Sequence, residues 1–441
     1  MNDLDLKNDI AETSLGVKVD KKKYRLDVAS TGFSLMSNKR VTNVFRLSCT
    51  LNEEIDTNKL QRAISSIILR FPYYRVSIKK GLFWGKLVTN LAIPKIQTDS
   101  EYPCQYIPFG RKRLLYKIIV DNNKVSLEYH HCLTDGQGGL IFLNSLIAEY
   151  FRLKGLSIEG WNDILFAKDK IDLLEFEDAY DRYKKKKIKV REKNFIRRSF
   201  YIPEKVEPPG IFHLFNVSVS LESIRQRSKE FNVSITALLI AIYYDSLVEI
   251  QEKTYQKKTE ELKPISIRIP VDLRKILVSK TMRNFSAAVR IDLDPKNEKK
   301  SFGTTVKVIH ESLKNQIQKE KLIYKITRNI KTANMLIMHI IPFQIKRFIV
   351  RTLYYFVNTP FYSGMISNLG QVSIPKLLEK YIESYEFTVG PSAGSKERIS
   401  MVSFKDKLVL TFSSVIKEPL LVDVFKRRLE ELGIKIYTSD T

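Results

Sequence analysis

Two histidines stand side by side at positions 130 and 131, in EYHHCLTDGQGG, with Asp135 four residues beyond the second and Gly136, Gly138 and Gly139 behind it. Three chemistries suit these residue types. Zinc takes imidazole and carboxylate ligands, provided that they converge on one point. A neutral imidazole with an ordinary pKa near 6.5 is a general base. An aspartate just ahead of a helix is also an N-cap with no chemistry at all, and a histidine beside it can be a packed core residue.

The positioning elements separate these readings. KVSLEYHH (124–131) alternates as a strand, which puts Val125, Leu127, Tyr129 and His131 on one face and Ser126, Glu128 and His130 on the other. Adjacent histidines then point apart, so a two-histidine metal site requires a distorted backbone, and no metal is expected. His131 ends its strand face as the candidate base. Asp135 falls in the turn before a helix whose apolar stripe is Leu140, Leu143, Ile147, Tyr150 and Phe151, with Gly155 as its stop. The three glycines are expected to let backbone approach a ligand at the helix N-terminus, where developing negative charge is stabilised.

No G-x-S-x-G serine elbow occurs in the chain, and Cys132 turns away from His131 if the strand persists. A base without its own nucleophile points to activation of a substrate hydroxyl or amine, that is, direct acyl transfer between two bound substrates.

Elsewhere helix and strand patterns alternate. VFRLSCTL (44–51) reads as a half-buried strand, and DTNKLQRAISSIILRFPYY as a helix capped by Asp56. The expected division is a polar tail over 1–20, a first lobe over 21–165, a basic connecting segment over 166–210 containing DRYKKKKIKVREKNFIRR, and a second lobe over 211–441. With 44% hydrophobic residues in 441, the chain is globular and long enough for two lobes. The fold class expected is α/β, with mixed sheets packed against helices.

Seventy-four Lys and Arg against 49 Asp and Glu give a net charge of +25. Such a surface attracts phosphates, acidic proteins or anionic lipid. Nucleic acid is not expected as a partner, since no zinc-finger, RNP-like or zipper pattern accompanies the charge. Three cysteines, Cys49, Cys104 and Cys132, suit a reducing compartment, and the polar start MNDLDLKNDIAET lacks the pattern of a secretory signal. A cytoplasmic location is expected, with peripheral membrane contact through the basic and aromatic stretch 325–356. Within it, TANMLIMHIIPFQ reads as a buried or interfacial helix, too short to span a bilayer.

HHCLTDG resembles the HHxxxDG signature of condensation domains and of the coenzyme A-dependent acyltransferase superfamily, whose members share a chloramphenicol acetyltransferase-like fold. LRFPYYRVSIKKGLFW, IPVDLR (269–274), MRNFS (282–286) and MISNLG (365–370) extend the resemblance in order over about residues 24–435, nearest the alcohol acetyltransferase-like branch. The DFGWG motif of plant members is absent, and ISNLGQ stands in its region. The resemblance implies two lobes meeting at a tunnel that donor and acceptor enter from opposite faces, with His131 as base and Gly136 offering an amide to the oxyanion. Asp135 would pair with Arg274 to hold the lobes in register, with His130 as support. Asn284, Ser367 and Asn368 would line the tunnel.

The expected reaction is transfer of an acyl group, here acetyl, from a thioester such as acetyl-CoA to an alcohol. Coenzyme A acts as co-substrate and no cofactor is held permanently. A carrier-protein thioester, with an acidic carrier as partner and an amide as product, is the rival. A non-catalytic binding protein that keeps the fold is the second.

Overall fold

The computed structural model describes residues 10–12, 18–20, 23–161, 163–185, 198–296, 301–354, 361–392 and 394–437. The first lobe contributes, in chain order, strands β1 (Ile10–Glu12), β2 (Lys18–Asp20) and β3 (Lys23–Arg25), helix α1 (Val28–Met36), β4 (Val44–Leu51), helix α2 (Thr57–Ile67), β5 (Val76–Lys80), β6 (Gly85–Thr89), β7 (Ile96–Gln97), β8 (Tyr116–Asp121), β9 (Lys124–His130) and helix α3 (Gly136–Leu153). The second half begins with a short helix, α4 (Ala179–Tyr183), and continues through β10 (His213–Ser220), α5 (Leu221–Glu230), α6 (Ile235–Glu249), β11 (Ile265–Asp272) and β12 (Ser286–Leu293). Helices α7 (Phe302–Gln316), α8 (Lys319–Ala333), α9 (Leu336–Ile340) and α10 (Phe343–Leu353) come next. The chain closes with β13 (Gly364–Gln371), α11 (Lys376–Glu379), β14 (Ile382–Val389), β15 (Glu397–Phe404), β16 (Lys407–Ser414), α12 (Leu421–Glu431) and β17 (Ile436–Tyr437).

Local chemistry accounts for the helices that frame the site. Asp56 caps α2 by accepting the Lys59 amide at 2.9 Å, and Leu60, Ala63, Ile64 and Ile67 bury one stripe in the first lobe's core, where α2 packs beside α3. Helix α6 is largely apolar and mostly buried inside the second lobe, with Glu249 near its end paired to Arg427 and Arg428.

Two mixed sheets organise the lobes. A five-stranded sheet runs β14-β4-β9-β8-β7, and a seven-stranded sheet runs β12-β11-β13-β15-β16-β10-β17. The architecture is α/β with two lobes, as expected. The expected boundary at residue 211 is crossed, however: β14 leaves the second half to pair antiparallel with β4 along Ile382–Val389. Val402, Phe404 and Val409 of the second sheet also enter the first lobe's core. A strand that pairs with a partner more than 300 residues earlier carries no local mark of its destination.

Three further expectations change. Strands β4 and β9 are buried on both faces, because their polar residues pair inside the protein. Arg46 binds Glu128 at 2.7 Å and Asp99 at 2.6 Å, which satisfies charges that alternation had assigned to solvent. The connecting segment is likewise anchored: Glu175 is buried and held by Arg70 at 2.5 Å and by the Tyr73 hydroxyl at 2.8 Å. Of its basic run, residues 186–197 lie outside the described residues. Finally, the expected tail over 1–20 contains the β1–β2 pair.

Candidate active site

Strand β9 ends at His130, and a turn closed by the Leu133 amide on the His130 carbonyl at 2.8 Å carries the chain into α3. The two imidazoles face opposite ways. His130 Nδ1 accepts the Cys132 amide at 3.0 Å, which assigns the ring proton to Nε2, 3.0 Å from Ser37 Oγ. Ser37 Oγ in turn donates to the Phe33 carbonyl at 2.7 Å and accepts from Asn43 Nδ2 at 2.8 Å. Every polar atom of this neutral ring is used. Burial, with the neighbouring His131, pushes His130 down to about 3.

His131 is fixed by its backbone and its ring faces. Its amide donates to the Asn43 carbonyl at 2.8 Å, and its carbonyl accepts Asn284 Nδ2 at 2.7 Å. The ring stacks on Phe33 at 4.7 Å between centroids and tilts against Phe45 at 4.6 Å. Nδ1 is buried without a hydrogen-bond partner, and the residue as a whole keeps partial solvent access. Burial, only partly opposed by the Asp135 carboxylate, pushes the imidazole down to about 4, and Arg268 acts in the same direction as burial. At neutral pH the ring is therefore an uncharged base.

Asp135 has two roles at once. It caps α3, its Oδ1 accepting the Gly138 amide at 3.2 Å. It also receives Arg274 in a two-point pair, Nη1 to Oδ2 at 3.0 Å and Nη2 to Oδ1 at 3.1 Å, and the Phe285 amide at 2.7 Å. Arg274 further binds Asp272 at 2.8 Å and the carbonyls of Thr281 and Arg283 at 2.9 and 2.6 Å. Burial works against the guanidinium charge, but the two carboxylates outweigh it and hold Arg274 above the usual arginine range. The pair joins the lobes across 139 residues of sequence.

The loop between β11 and β12 docks with three consecutive residues. Arg283 meets Asp27 at 3.3 Å, Asn284 reaches Ser30 Oγ at 3.0 Å as well as the His131 carbonyl, and Phe285 donates to Asp135. Asn284 thus holds the histidine turn. Ser367 shares the face of β13 with Met365 and Leu369, by strand alternation. Asn368 does not: it is exposed and its Nδ2 donates to Thr236 Oγ1 at 3.0 Å, on the helix side of the sheet. This corrects its placement along the path of substrate, and the reason is the same period of two that separates the histidines.

The glycines also divide. A Cβ on Gly138 would stand 2.4 Å from the Met282 carbonyl oxygen and 2.3 Å from Thr134 Oγ1, and one on Gly139 would press on the Tyr129 ring at 3.0 Å. Both glycines make room for protein rather than for a ligand. Gly136 faces side chains of the second half, Leu369 and Phe387, and its amide makes no hydrogen bond among the described residues. Gly138→Ala is expected to lose about 1–3 kcal/mol of stability through overpacking, and Gly136→Ala distinctly less because only the tip of Leu369 must move; chemical denaturation of both variants measures the contrast.

Asp27, Phe33, Asn43, Phe45 and Arg283 are site residues that sequence reasoning missed. Only Asn43 carried a signal, as an asparagine before a strand, and it adopts φ +50°. Arg268 and Arg398 flank Met365 on one face of the second sheet, by the registers Arg268–Met365 and Met365–Arg398. Neither has a carboxylate partner among the described residues, and the buried Arg398 leaves Nη2 unbonded. Cys132 Sγ turns to the Ser30 carbonyl at 3.3 Å, and burial raises its thiol well above the ordinary range, so it supplies no thiolate.

The fold is the two-lobed architecture seen in solved condensation domains and acetyltransferases. Three solved structures carry the likeness. Polyketide synthase associated protein 5 from Mycobacterium tuberculosis aligns at TM-score 0.61 and 14% identity, over 92% of this chain and 96% of that one. TRI101 from F. sporotrichioides, complexed with coenzyme A and T-2, aligns at 0.63 and 11% over 94% and 99%. The condensation domain of the Monacolin K polyketide synthase MokA aligns at 0.58 and 11% over 93% and 97%. No protein-family model and no curated protein matches the sequence itself.

Proposed function

We propose that the protein transfers an acyl group, acetyl in the simplest case, from a thioester such as acetyl-CoA to an alcohol hydroxyl, with His131 as general base. The observation that carries this reading is the His131 imidazole, packed against Phe33 and Phe45 with Nδ1 shut in, where burial favours the uncharged ring. His131 Nε2 takes the hydroxyl proton as the alcohol oxygen attacks the thioester carbonyl. The tetrahedral intermediate then breaks its C–S bond, and the imidazolium returns the proton to the departing thiolate. The Gly136 amide, at the positive end of α3, is the candidate donor to the oxyanion. Asp135 and Arg274 position the turn and touch no reacting atom.

Acetyltransferases and condensation domains share this fold, so donor and product class are tested together. Thiol release from acetyl-CoA with a panel of alcohols is expected to exceed release without acceptor, and to yield an ester by mass. Turnover only with an acyl-loaded carrier protein, or only with amines, would transfer the reading to the condensation type. No turnover with any donor would favour a binding protein that retains the fold.

A general base with a pKa of about 4 has a pH signature. The acid limb of kcat/KM is expected near pH 4 rather than near 6.5, because that profile reports the free enzyme. An inflection at 6.5 would contradict the buried geometry of His131. His130 gives the matching stability effect. Its folded pKa, about 3, lies below the ordinary 6.5, so the unfolded chain binds the extra proton between these values. Stability from this residue is present above pH 6.5 and is lost as pH falls, by up to about 1.4 kcal/mol per pH unit. Denaturant unfolding of the wild type and of His130→Gln at pH 7 and pH 5 is expected to show the steeper loss in the wild type.

A further inference from the structure

Helices α9 and α10 present an apolar face that the fold leaves uncovered by any described residue. Leu336 is 83% exposed, Ile340 67% and Phe348 71%, with Ile345 and Leu353 more than half exposed. The tip of the β5–β6 hairpin extends the same face, with Leu82 at 71%. Three contacts make hairpin and helices one surface. The Phe343 amide donates to the Leu82 carbonyl at 2.7 Å, the Trp84 and His339 rings meet at 5.4 Å, and Lys346 Nζ lies 3.3 Å over the Trp84 ring while donating to the Met338 carbonyl at 2.7 Å. Lys346 is thereby drawn inward as a fastener.

The two segments that build this face carry charge of one sign. No Asp or Glu occurs between residues 57 and 98 or between 321 and 378, the two segments that build it. Lys79 and Lys80 are exposed on the hairpin, and Arg328 and Lys331 line an open groove of about 350 Å³ at the end of α8, together with Tyr324, Thr327, Thr332 and Met335. The inner side of α10 turns toward the histidines, since Arg347 donates to the Ser37 carbonyl at 3.1 Å and Ser37 binds His130.

We propose that this face docks the protein peripherally on a bilayer containing anionic lipid, with Leu336, Phe348 and the Leu82 tip entering the acyl boundary and the groove at Arg328 receiving a phosphate headgroup. Large exposed apolar patches mark interaction surfaces, and an amphipathic helix with a basic rim is the form that suits a charged membrane surface. A second copy of the chain fits poorly, because two cationic faces repel. Among the described residues no single helix is long and apolar enough to span a membrane. This docking stands apart from the acyl-transfer reading and is tested without any activity assay.

The experiment is flotation of the full chain with vesicles of phosphatidylcholine, with and without phosphatidylserine. Strong binding to the mixed vesicles, weak binding to the neutral ones and release by added salt are expected. Leu336→Ser/Phe348→Ser should lower the partition by about tenfold or more for each side chain, with the far-UV circular dichroism of the wild type, whereas Leu377→Ser elsewhere on the surface should not. In a Trp161→Phe background, lipids brominated in their acyl chains should quench Trp84. Failure to bind either vesicle, equal binding by the double variant, or a concentration-dependent dimer that the double variant abolishes would each overturn the proposal.

Discussion

His131→Ala is expected to reduce turnover by about 10² to 10⁴ while the protein stays folded, because general-base help in the transition state is worth that much and the bonds that fix residue 131 to Asn43 and Asn284 run through its backbone. The loss should fall on kcat more than on KM, since the base acts on the hydroxyl as its proton leaves. Truncation also opens space between Phe33 and Phe45, so a modest loss of stability is expected beside the loss of rate. His130→Gln separates the two histidines. It disturbs the bonds to Cys132 and Ser37 and should affect stability first, with the residual enzyme retaining the acid limb near pH 4. An alanine variant at position 131 with unchanged kcat would remove the base from the proposal, whatever the fold.

The second large effect belongs to the pair between Asp135 and Arg274. Breaking a buried pair by neutralising one partner leaves the other charge uncompensated, at a cost of about 3–5 kcal/mol. Asp135→Asn should lie near the lower end of that range, because Asp272 remains 2.8 Å from Arg274. Arg274→Met should cost at least as much, since Asp135 then keeps only the amides of Gly138 and Phe285 as neutral donors. The double variant is expected to lose less than the sum of the two, by about 1–3 kcal/mol of coupling. Activity should fall in both single variants through displacement of the histidine turn; the acid limb of kcat/KM should stay in place in Arg274→Met and move to lower pH in Asp135→Asn, which removes a carboxylate that favours the charged form of His131. The limb kept in Arg274→Met distinguishes a positioning pair from one that shares the proton. Additive losses in the cycle, or an unchanged melting temperature for Asp135→Asn, would count against the pair as an inter-lobe support.

Both expectations concern residues that single-sequence reasoning singled out, yet only part of their environment was legible there. The cap at Asp135 follows from its place before a glycine-opened apolar helix. Its second bond, to Arg274, was implied only by the resemblance, since nothing local relates positions 135 and 274. The same holds for Asn284, whose side chain grips the His131 carbonyl where a lining role had been expected. Gly138 and Gly139 were read as room for a ligand. A side chain at either position would collide with Met282, Thr134 or Tyr129, so the room is filled by the protein.

What the sequence determined alone is whatever repeats at short range. The period of two along 124–131 placed His130 and His131 on opposite faces, and the helical period fixed α2 and α3 with their caps. Two-lobed α/β architecture followed from the alternation of these elements over 441 residues. Tertiary structure decided the rest. It buried both faces of β4 and β9 by pairing Arg46 with Glu128 and Asp99, passed β14 back into the first sheet, and turned Asn368 toward α6. It also brought Phe33 and Phe45 onto the His131 ring. Each of these depends on contacts between residues far apart in sequence, whose energies depend on packing, burial and charge in three dimensions and leave no periodic trace along the chain.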